Sequence, residues 1–280
     1  MRRTGFVDAV EGLSSHDHMC WVFGTPDEFR SVAGRFLADG LAGGQRVLFS
    51  ADWAGGGDLD GIDGFAAARR DGAAQVRDLS GYGGAALIDP DLQVRTYAEA
   101  TGQALADGFT GLRVAADVTP LVASVAARAA FARYEFLVDG YMARHPMSAM
   151  CGYNRGELDE HAVVELAGMH PLAPPSSTPL RLFAADPRVT GATAVLAGEV
   201  DVTGHAQLRT ALDRARLAPG GGTVTIDARE LTFIDHRGLA CIADHVRDRG
   251  ATTELLVGRR SPVLMLAGLL GRDDLRVVVA

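Results

Sequence analysis

The sequence predicts an α/β protein with two domains. In the first half of the chain, short apolar runs of strand length alternate with longer amphipathic runs of helix length, which favours a parallel sheet covered by helices on both faces. The second half also contains runs of strand and helix length. The stretch 170–179 breaks this alternation with four prolines and three hydroxyl residues, a composition typical of a linker. We therefore expect domains over residues 1–172 and 180–280, joined by a Pro/Ser linker over residues 173–179.

The elements of the first half follow from its hydrophobic periodicity. The runs of strand length are His18–Phe23, Arg46–Ala51, Gln75–Leu79, Gly111–Val118 and Met147–Tyr153. The runs of helix length are Pro26–Ala42, Leu92–Asp107, Val122–Ala143 and Asp159–Gly168. The first helix has a hydroxyl side chain, Thr25, at its cap position, followed by Pro26 and two acidic residues, as is typical of a helix N-terminus.

The second half, about 100 residues long, has the pattern of a compact α/β domain. Its predicted strands are Leu180–Ala184, Thr193–Gly198, Thr223–Asp227, Thr253–Val257 and Leu275–Val279. Its predicted helices are Gly204–Leu217, Gly238–Arg249 and Ser261–Leu270. The segment Phe233–Gly238 places polar side chains at the end of a further strand and the start of a helix.

The composition excludes several classes of function. All 27 basic residues are arginine, which excludes a Schiff-base lysine, a lysine general base and a phosphate-loop lysine. The net charge of −8, without an arginine-rich run, argues against non-specific binding of nucleic acid. Apolar runs are shorter than the ~18 residues of a membrane span, and the first residues lack a signal-peptide pattern. Three widely spaced cysteines fit reduced thiols, so we expect a cytoplasmic protein.

Four stretches of the second half follow the order and spacing of one known family. They are Ala197–Asp201, Thr223–Asp227, Leu231–Leu239 and Gly268–Leu270. This series resembles the STAS domain of anti-sigma-factor antagonists. The resemblance implies a domain that binds an anti-sigma factor or a similar signalling protein through a surface loop. The residues that it assigns to this loop are Asp201, Asp235, His236, Arg237 and Gly238.

The loop departs from the STAS pattern at the position of phosphorylation. In the family, a serine after the motif aspartate is phosphorylated by a partner kinase, but here His236 and Arg237 follow Asp235. Neither side chain offers the hydroxyl that a serine kinase modifies. Two interpretations remain open: a module that stays competent to bind, with control moved to the first domain, or a module that serves another interaction.

Motifs in the first half form a second series in the order of a known family. They are Asp17–Cys20, Thr25–Phe29, Gly108–Val114, Tyr134–Glu135, Cys151–Asn154 and Met169–Pro171. This series resembles the MEDS domain, the methanogen and methylotroph sensory domain. The resemblance implies the sensing of small, hydrocarbon-like molecules, a core like that of RecA-type ATPases, and fusion to signalling modules.

A RecA-like core raises the question of nucleotide binding. The turn after the first predicted strand, Phe23–Phe29, lacks the G-x-x-x-x-G-K-[ST] motif and carries two acidic residues. These acidic residues would repel a triphosphate, and no lysine is available to bind it. We therefore expect a RecA-like domain without a P-loop and without a bound nucleotide.

The MEDS-like motifs contain a candidate ligand site. His18 and Cys20 are two residues apart on one predicted strand and share a face, as do Cys151 and Tyr153 on another. If the two strands are neighbours, their side chains meet, and His170 could complete a Cys₂His₂ zinc site formed with His18, Cys20 and Cys151. The candidate ligand-binding residues are His18, Cys20, Glu135, Cys151, Tyr153 and His170. A metal site, the polar lining of an organic-ligand pocket and a purely structural role all remain open.

These observations favour a signalling protein without catalytic residues. A small ligand acting on the first domain would change how the STAS-like domain meets its protein partner. The alternative is a Cys/His- or metal-dependent enzyme in the first domain, using Cys20 or Cys151. Against this alternative, the chain lacks a nucleophile elbow and an H-E-x-x-H motif. The identity of the ligand and a homodimeric state are left open, and we expect no direct contact with nucleic acid or membrane.

Overall fold

The computed structural model describes residues 2–53, 59, 62, 64–82, 87–175, 177–219 and 221–280. These residues form two sheets with their helices, and the predicted α/β class is confirmed. Ser176, within the predicted linker, lies outside the described residues. None of the helices in this part of the chain combines the length and the apolar character that a membrane crossing requires.

The first sheet is parallel throughout and has seven strands among the described residues. They are β1 Gly5–Phe6, β2 His18–Phe23, β3 Arg46–Ser50, β4 Ala74–Arg77, β5 Leu112–Asp117, β6 Met147–Asn154 and β7 Leu172–Ala173. Their spatial order is β1-β7-β2-β6-β5-β3-β4. Strands β2 and β6 are thus neighbours near the middle of the sheet, where both faces are covered and continuous apolar runs are expected.

The described helices of the first half are α1 Pro26–Ala42, α2 Phe65–Arg70, α3 Pro90–Ala106, α4 Val125–Met142 and α5 Glu160–Ala167. All of these helices except α2 begin after a capping side chain. Helix α3 begins before the predicted Leu92 because the Asp89 side chain accepts a hydrogen bond from the Leu92 amide at 3.0 Å. Helix α4 begins after the predicted Val122 because Ser124 caps it, and residues 119–122 form a 3-10 turn instead.

The second sheet is mixed. Its strands are β8 Leu180–Ala184, β9 Ala194–Val200, β10 Thr223–Asp227, β11 Leu231–Ile234, β12 Thr252–Val257 and β13 Leu275–Val279. Strand β8 pairs antiparallel with β9, whereas the other pairings are parallel. The helices are α6 Pro187–Thr190, α7 His205–Ala215, α8 His236–Arg247 and α9 Val263–Leu270. The further strand expected before residue 238 is β11.

The two sheets are joined by a short segment and by a shared core. Ala173, which the sequence places in the linker, is the last residue of β7, and Leu180 begins β8. Helix α4 packs on β6 of the first sheet and also contacts β8 and α7. One continuous cluster of buried apolar side chains accordingly runs through both halves. Helix α4 is therefore the element that lies between the two sheets.

Candidate functional site

The candidate site lies where α4 covers strands β2 and β6. Cys20 and Cys151 are register partners on these parallel neighbours, so the condition set by the sequence is met. His18 lies two residues before Cys20 on the same face of β2. Helix α4 contributes Glu135, and His170 follows α5, just before β7. Five of the predicted site residues thus come from four separate segments of the chain.

Four of these residues form what we call the His–Glu–Cys cluster: His18, Glu135, Cys151 and His170. One ligand atom from each lies within 4.8 Å of all the others. Glu135 is central, because its Oε2 lies 3.2 Å from His18 Nε2 and its Oε1 lies 3.4 Å from His170 Nε2. Cys151 Sγ lies 3.6 Å from both His18 Nε2 and Glu135 Oε2. All four side chains are buried.

The outer nitrogen of each imidazole has an acceptor for its proton. His18 Nδ1 lies 3.0 Å from Asp139 Oδ1, and His170 Nδ1 lies 2.9 Å from the carbonyl oxygen of Leu166. A carbonyl and a carboxylate oxygen accept hydrogen bonds, so both rings carry a proton on Nδ1. When neutral, the rings therefore turn the lone pairs of their Nε2 atoms toward the cluster.

Burial and close charges shift the pKa values at the site. Burial, together with the nearby charge of His170, lowers the pKa of His18 to about 4. Burial alone would raise the pKa of Glu135, but interactions with His170 and His18 bring it below its ordinary value. Tyr153 donates a hydrogen bond to Glu135 Oε1 at 2.6 Å. Burial, and then the charge of Glu135, raises the pKa values of Cys151 and Tyr153.

Cys20 is buried beside the cluster but does not belong to it. Among the described residues, the group of ligand atoms within 4.8 Å contains Glu135 in the position that the sequence gave to Cys20. Burial, and then the charge of Glu135, raises the pKa of the Cys20 thiol. Like Cys151, Cys20 also belongs to the large cluster of buried apolar side chains.

Two contributing residues were not predicted. Asp139 accepts from the His18 ring, and its Oδ2 also accepts from the Ala184 amide at 3.0 Å. The partly buried Arg2 side chain forms an ion pair with the buried Asp139 carboxylate, and this burial lowers the pKa of Arg2 to about 10. Asp139 follows Glu135 by four residues on one helix, a spacing that puts both on the same face. That spacing is readable in the sequence, whereas nothing in the sequence indicates Arg2.

The STAS-like loop forms at the N-terminus of α8. Asp235 caps the helix by accepting a hydrogen bond from the Gly238 amide at 2.8 Å, and its Oδ1 also lies 2.8 Å from His205 Nε2. The Asp201 side chain accepts from amides in its own turn. Asp201 lies next to the loop because the Asp235 amide donates a hydrogen bond to the carbonyl oxygen of Val200, the residue before Asp201.

The side chains of this loop divide into exposed and buried positions. His236 and Arg237 are exposed and available to a partner. Gly238 is buried, and a Cβ there would lie 2.8 Å from Ile234 Cγ1. Close packing of the helix on the sheet therefore requires glycine at this position.

The comparison with known proteins identifies the first half. Residues 17–171 match the family model described as MEDS, MEthanogen/methylotroph, DcmR Sensory domain. This match covers more than half of the chain and includes the whole His–Glu–Cys cluster. No curated protein matches the chain. The chain therefore belongs to the MEDS family, and its first half is a sensory domain.

Proposed function

We propose that this protein is a signalling switch in which ligand binding at the His–Glu–Cys cluster controls the protein interactions of the second domain. The MEDS match supports a sensory role for the first half. The fold of the second half, an α/β domain with a mixed sheet, supports the resemblance to STAS domains. The partner would be an anti-sigma factor or a similar signalling protein.

The observation that carries the proposal is the position of Asp139. Its Oδ1 lies 3.0 Å from the His18 ring, and its Oδ2 accepts from the Ala184 amide in β8. Arg2 donates to the Ala184 carbonyl at 3.3 Å and pairs with Asp139. A ligand that moves His18 would therefore change the hydrogen bonds of the first strand of the second sheet. Coupling of this kind requires a ligand that favours one arrangement over the other.

The exposed loop at α8 is the partner-binding surface in this proposal. His236 and Arg237 replace hydroxyl residues with side chains that can carry positive charge, which favours an acidic partner surface. Without a phosphorylatable hydroxyl there, control by the first domain takes the place of control by a kinase.

Binding accounts for the cluster better than catalysis does. A cysteine nucleophile needs a lowered pKa, whereas burial raises the pKa of both Cys20 and Cys151. The turn after β2 is also unsuited to binding a phosphate, because its Gly24 amide already donates a hydrogen bond to the Glu28 carboxylate at 2.8 Å. These two observations favour a binding domain without a nucleotide.

A pull-down with the anti-sigma kinases of the same genome tests the proposal. We expect the full chain to retain at least one of them and the Asp139→Asn variant to change that affinity about tenfold, the size of a typical coupling between sites. The matched control is Asp8→Asn, since Asp8 is exposed. Failure of the unmodified chain to bind any of these kinases would contradict the proposed partner class. An unchanged affinity in Asp139→Asn would contradict the proposed route.

A further inference from the structure

We infer that the His–Glu–Cys cluster is a zinc site formed by His18, Glu135, Cys151 and His170. This inference rests on the proposed function: it names Zn²⁺ as the ligand of the sensory site, and zinc binding is a signal only if the proposed function holds. The donors are two imidazole nitrogens, one thiolate and one carboxylate oxygen, all of which are ordinary ligands of Zn²⁺.

The three distances among His18 Nε2, Glu135 Oε2 and Cys151 Sγ match the edges of a tetrahedron. With Zn–N and Zn–O bonds of ~2.0–2.1 Å and a Zn–S bond of ~2.3 Å, the edges of a tetrahedron are ~3.3 Å between N and O and ~3.5 Å to sulfur. His18 Nε2 lies 3.2 Å from Glu135 Oε2, the carboxylate donor of this set, and His170 Nε2 lies 3.4 Å from the other carboxylate oxygen, Oε1. The distances from Cys151 Sγ to His18 Nε2 and to Glu135 Oε2 are both 3.6 Å. The other donor pairs lie within 4.8 Å.

A cation at the centre of the cluster would contact the buried imidazole nitrogens and the carboxylate at the same time. His170 Nε2 is buried and has no hydrogen-bond partner among the described residues, although Glu135 Oε1 lies 3.4 Å away. Because its Nδ1 proton goes to a carbonyl, a neutral His170 ring points a lone pair at that oxygen, and His18 does the same toward Oε2. Lone pairs facing a buried carboxylate repel it, so a cation at the centre of the cluster satisfies all these atoms at once.

The surrounding residues have the arrangement found around metal ligands. Metal-binding histidines usually donate their other ring N–H to a carboxylate or a backbone carbonyl, which fixes the ring. The Asp139 carboxylate accepts such a hydrogen bond from His18, and the Leu166 carbonyl oxygen accepts one from His170. Tyr153 donates to Glu135 Oε1 and orients the carboxylate. When the metal binds, Cys151 Sγ forms the bond to zinc and its proton passes to solvent.

Metal analysis of the full chain tests the inference. The purified protein is incubated with Zn²⁺ alone, desalted and analysed for zinc by mass spectrometry. We expect about one zinc ion per chain in the unmodified protein, the stoichiometry of a four-ligand site. Cys151→Ala and Glu135→Gln should weaken binding by at least about tenfold, since even the loss of an outer partner has that effect.

Cys20→Ala is the matched control, because Cys20 is the register partner of Cys151 and is equally buried. It should bind zinc like the unmodified protein. Zinc binding lost in Cys20→Ala and kept in Cys151→Ala would overturn the ligand set. If the cluster variants fail to fold, Co²⁺ loading of the unmodified protein still decides the question. A thiolate-to-cobalt charge-transfer band supports the site, and a folded protein that binds neither metal overturns it.

Metal content and partner binding are measured separately, so the zinc site and the proposed function can each be contradicted without the other. A metal-free chain whose partner binding still depends on Asp139 overturns the zinc site and leaves the proposed signalling function standing. A stoichiometric zinc site in a chain that binds no anti-sigma kinase contradicts the partner class and supports the zinc site.

Discussion

Gly152 follows Cys151 on β6 and therefore lies on the opposite face of the sheet from the His–Glu–Cys cluster, against α1. A Cβ at this position would lie 2.4 Å from Phe29 Cε2, on the ring of an α1 side chain that is completely buried. We expect Gly152→Ala to lower the free energy of unfolding by about 1–3 kcal/mol, the usual cost of overpacking a core. The midpoint of urea unfolding measures this loss.

Gly102→Ala is the control for this prediction. Gly102 is exposed on α3, and a Cβ there meets no atom within 4 Å. Alanine in a helix interior is favoured over glycine by about 0.5–1 kcal/mol, so this variant should gain stability. Equal urea midpoints for Gly152→Ala and the unmodified protein would contradict the close packing of Phe29 against β6.

The identity of the fourth cluster residue shows what the sequence can predict at the scale of single residues. Alternation along a strand puts His18 and Cys20 on one face, and Cys151 and Tyr153 on one face of another strand. Which of them meets Glu135 depends on where α4 crosses that face, and this is a property of tertiary packing. The sequence therefore predicts that Cys20 and Cys151 meet only if their strands are neighbours, and it does not predict the replacement of Cys20 by Glu135 in the cluster.

At the scale of elements, the start of α8 depends on one side chain. Asp235 accepts from the Gly238 amide and from the His205 ring. Loss of such a cap costs about 0.5–2 kcal/mol. We expect Asp235→Ala to lower the free energy of unfolding at neutral pH by this amount. Asp235→Asn, which keeps a capping oxygen, should lose less, and chemical unfolding of the three proteins measures the difference.

The same cap predicts a dependence on pH. Burial alone would raise the pKa of Asp235, but hydrogen bonds from Gly238 and His205 and the nearby His236 lower it below 3.8. The stability that its charge provides is therefore complete above about pH 4 and is lost as pH falls through the lowered pKa. The difference in stability between the unmodified protein and Asp235→Asn should shrink below pH 4. A difference that stays constant from pH 6 to about pH 2.5 would contradict a charged cap.

The boundaries of elements were predictable where a capping residue and a long periodic run coincide. Helix α1 and strand β2 have the predicted limits, because Thr25 and Pro26 mark the start of the helix. Helix α3 begins two residues before the predicted Leu92, because Asp89 caps it and Pro90 occupies its first turn. Strands β1 and β7 have two residues each, too few for a period of two to be detected. Their pairing depends on contacts between distant parts of the chain.

At the scale of the whole molecule, four distant segments meet at Asp139, one of which is β2 through the His18 ring. The N-terminal segment supplies Arg2, α4 supplies Asp139 itself, and β8 supplies the backbone of Ala184. The sequence predicts two domains separated by a linker, but their contact could not be predicted, because it depends on these single side chains and on an apolar cluster shared by both halves. The buried charge of Asp139 makes the contact sensitive to any change in its partners.

We expect Arg2→Met to lower the free energy of unfolding by about 3–5 kcal/mol, since it leaves the buried Asp139 carboxylate without its counter-charge. Arg3→Met is the control, because Arg3 is the neighbouring arginine and is exposed. In the double variant Arg2→Met/Asp139→Asn, both charges are removed, so the total loss should be smaller than the sum of the two single losses by about 0.5–3 kcal/mol. Urea unfolding of the four proteins gives this coupling energy. Additive losses would mean that Arg2 and Asp139 act independently, and the contact between the two sheets would then not depend on this ion pair.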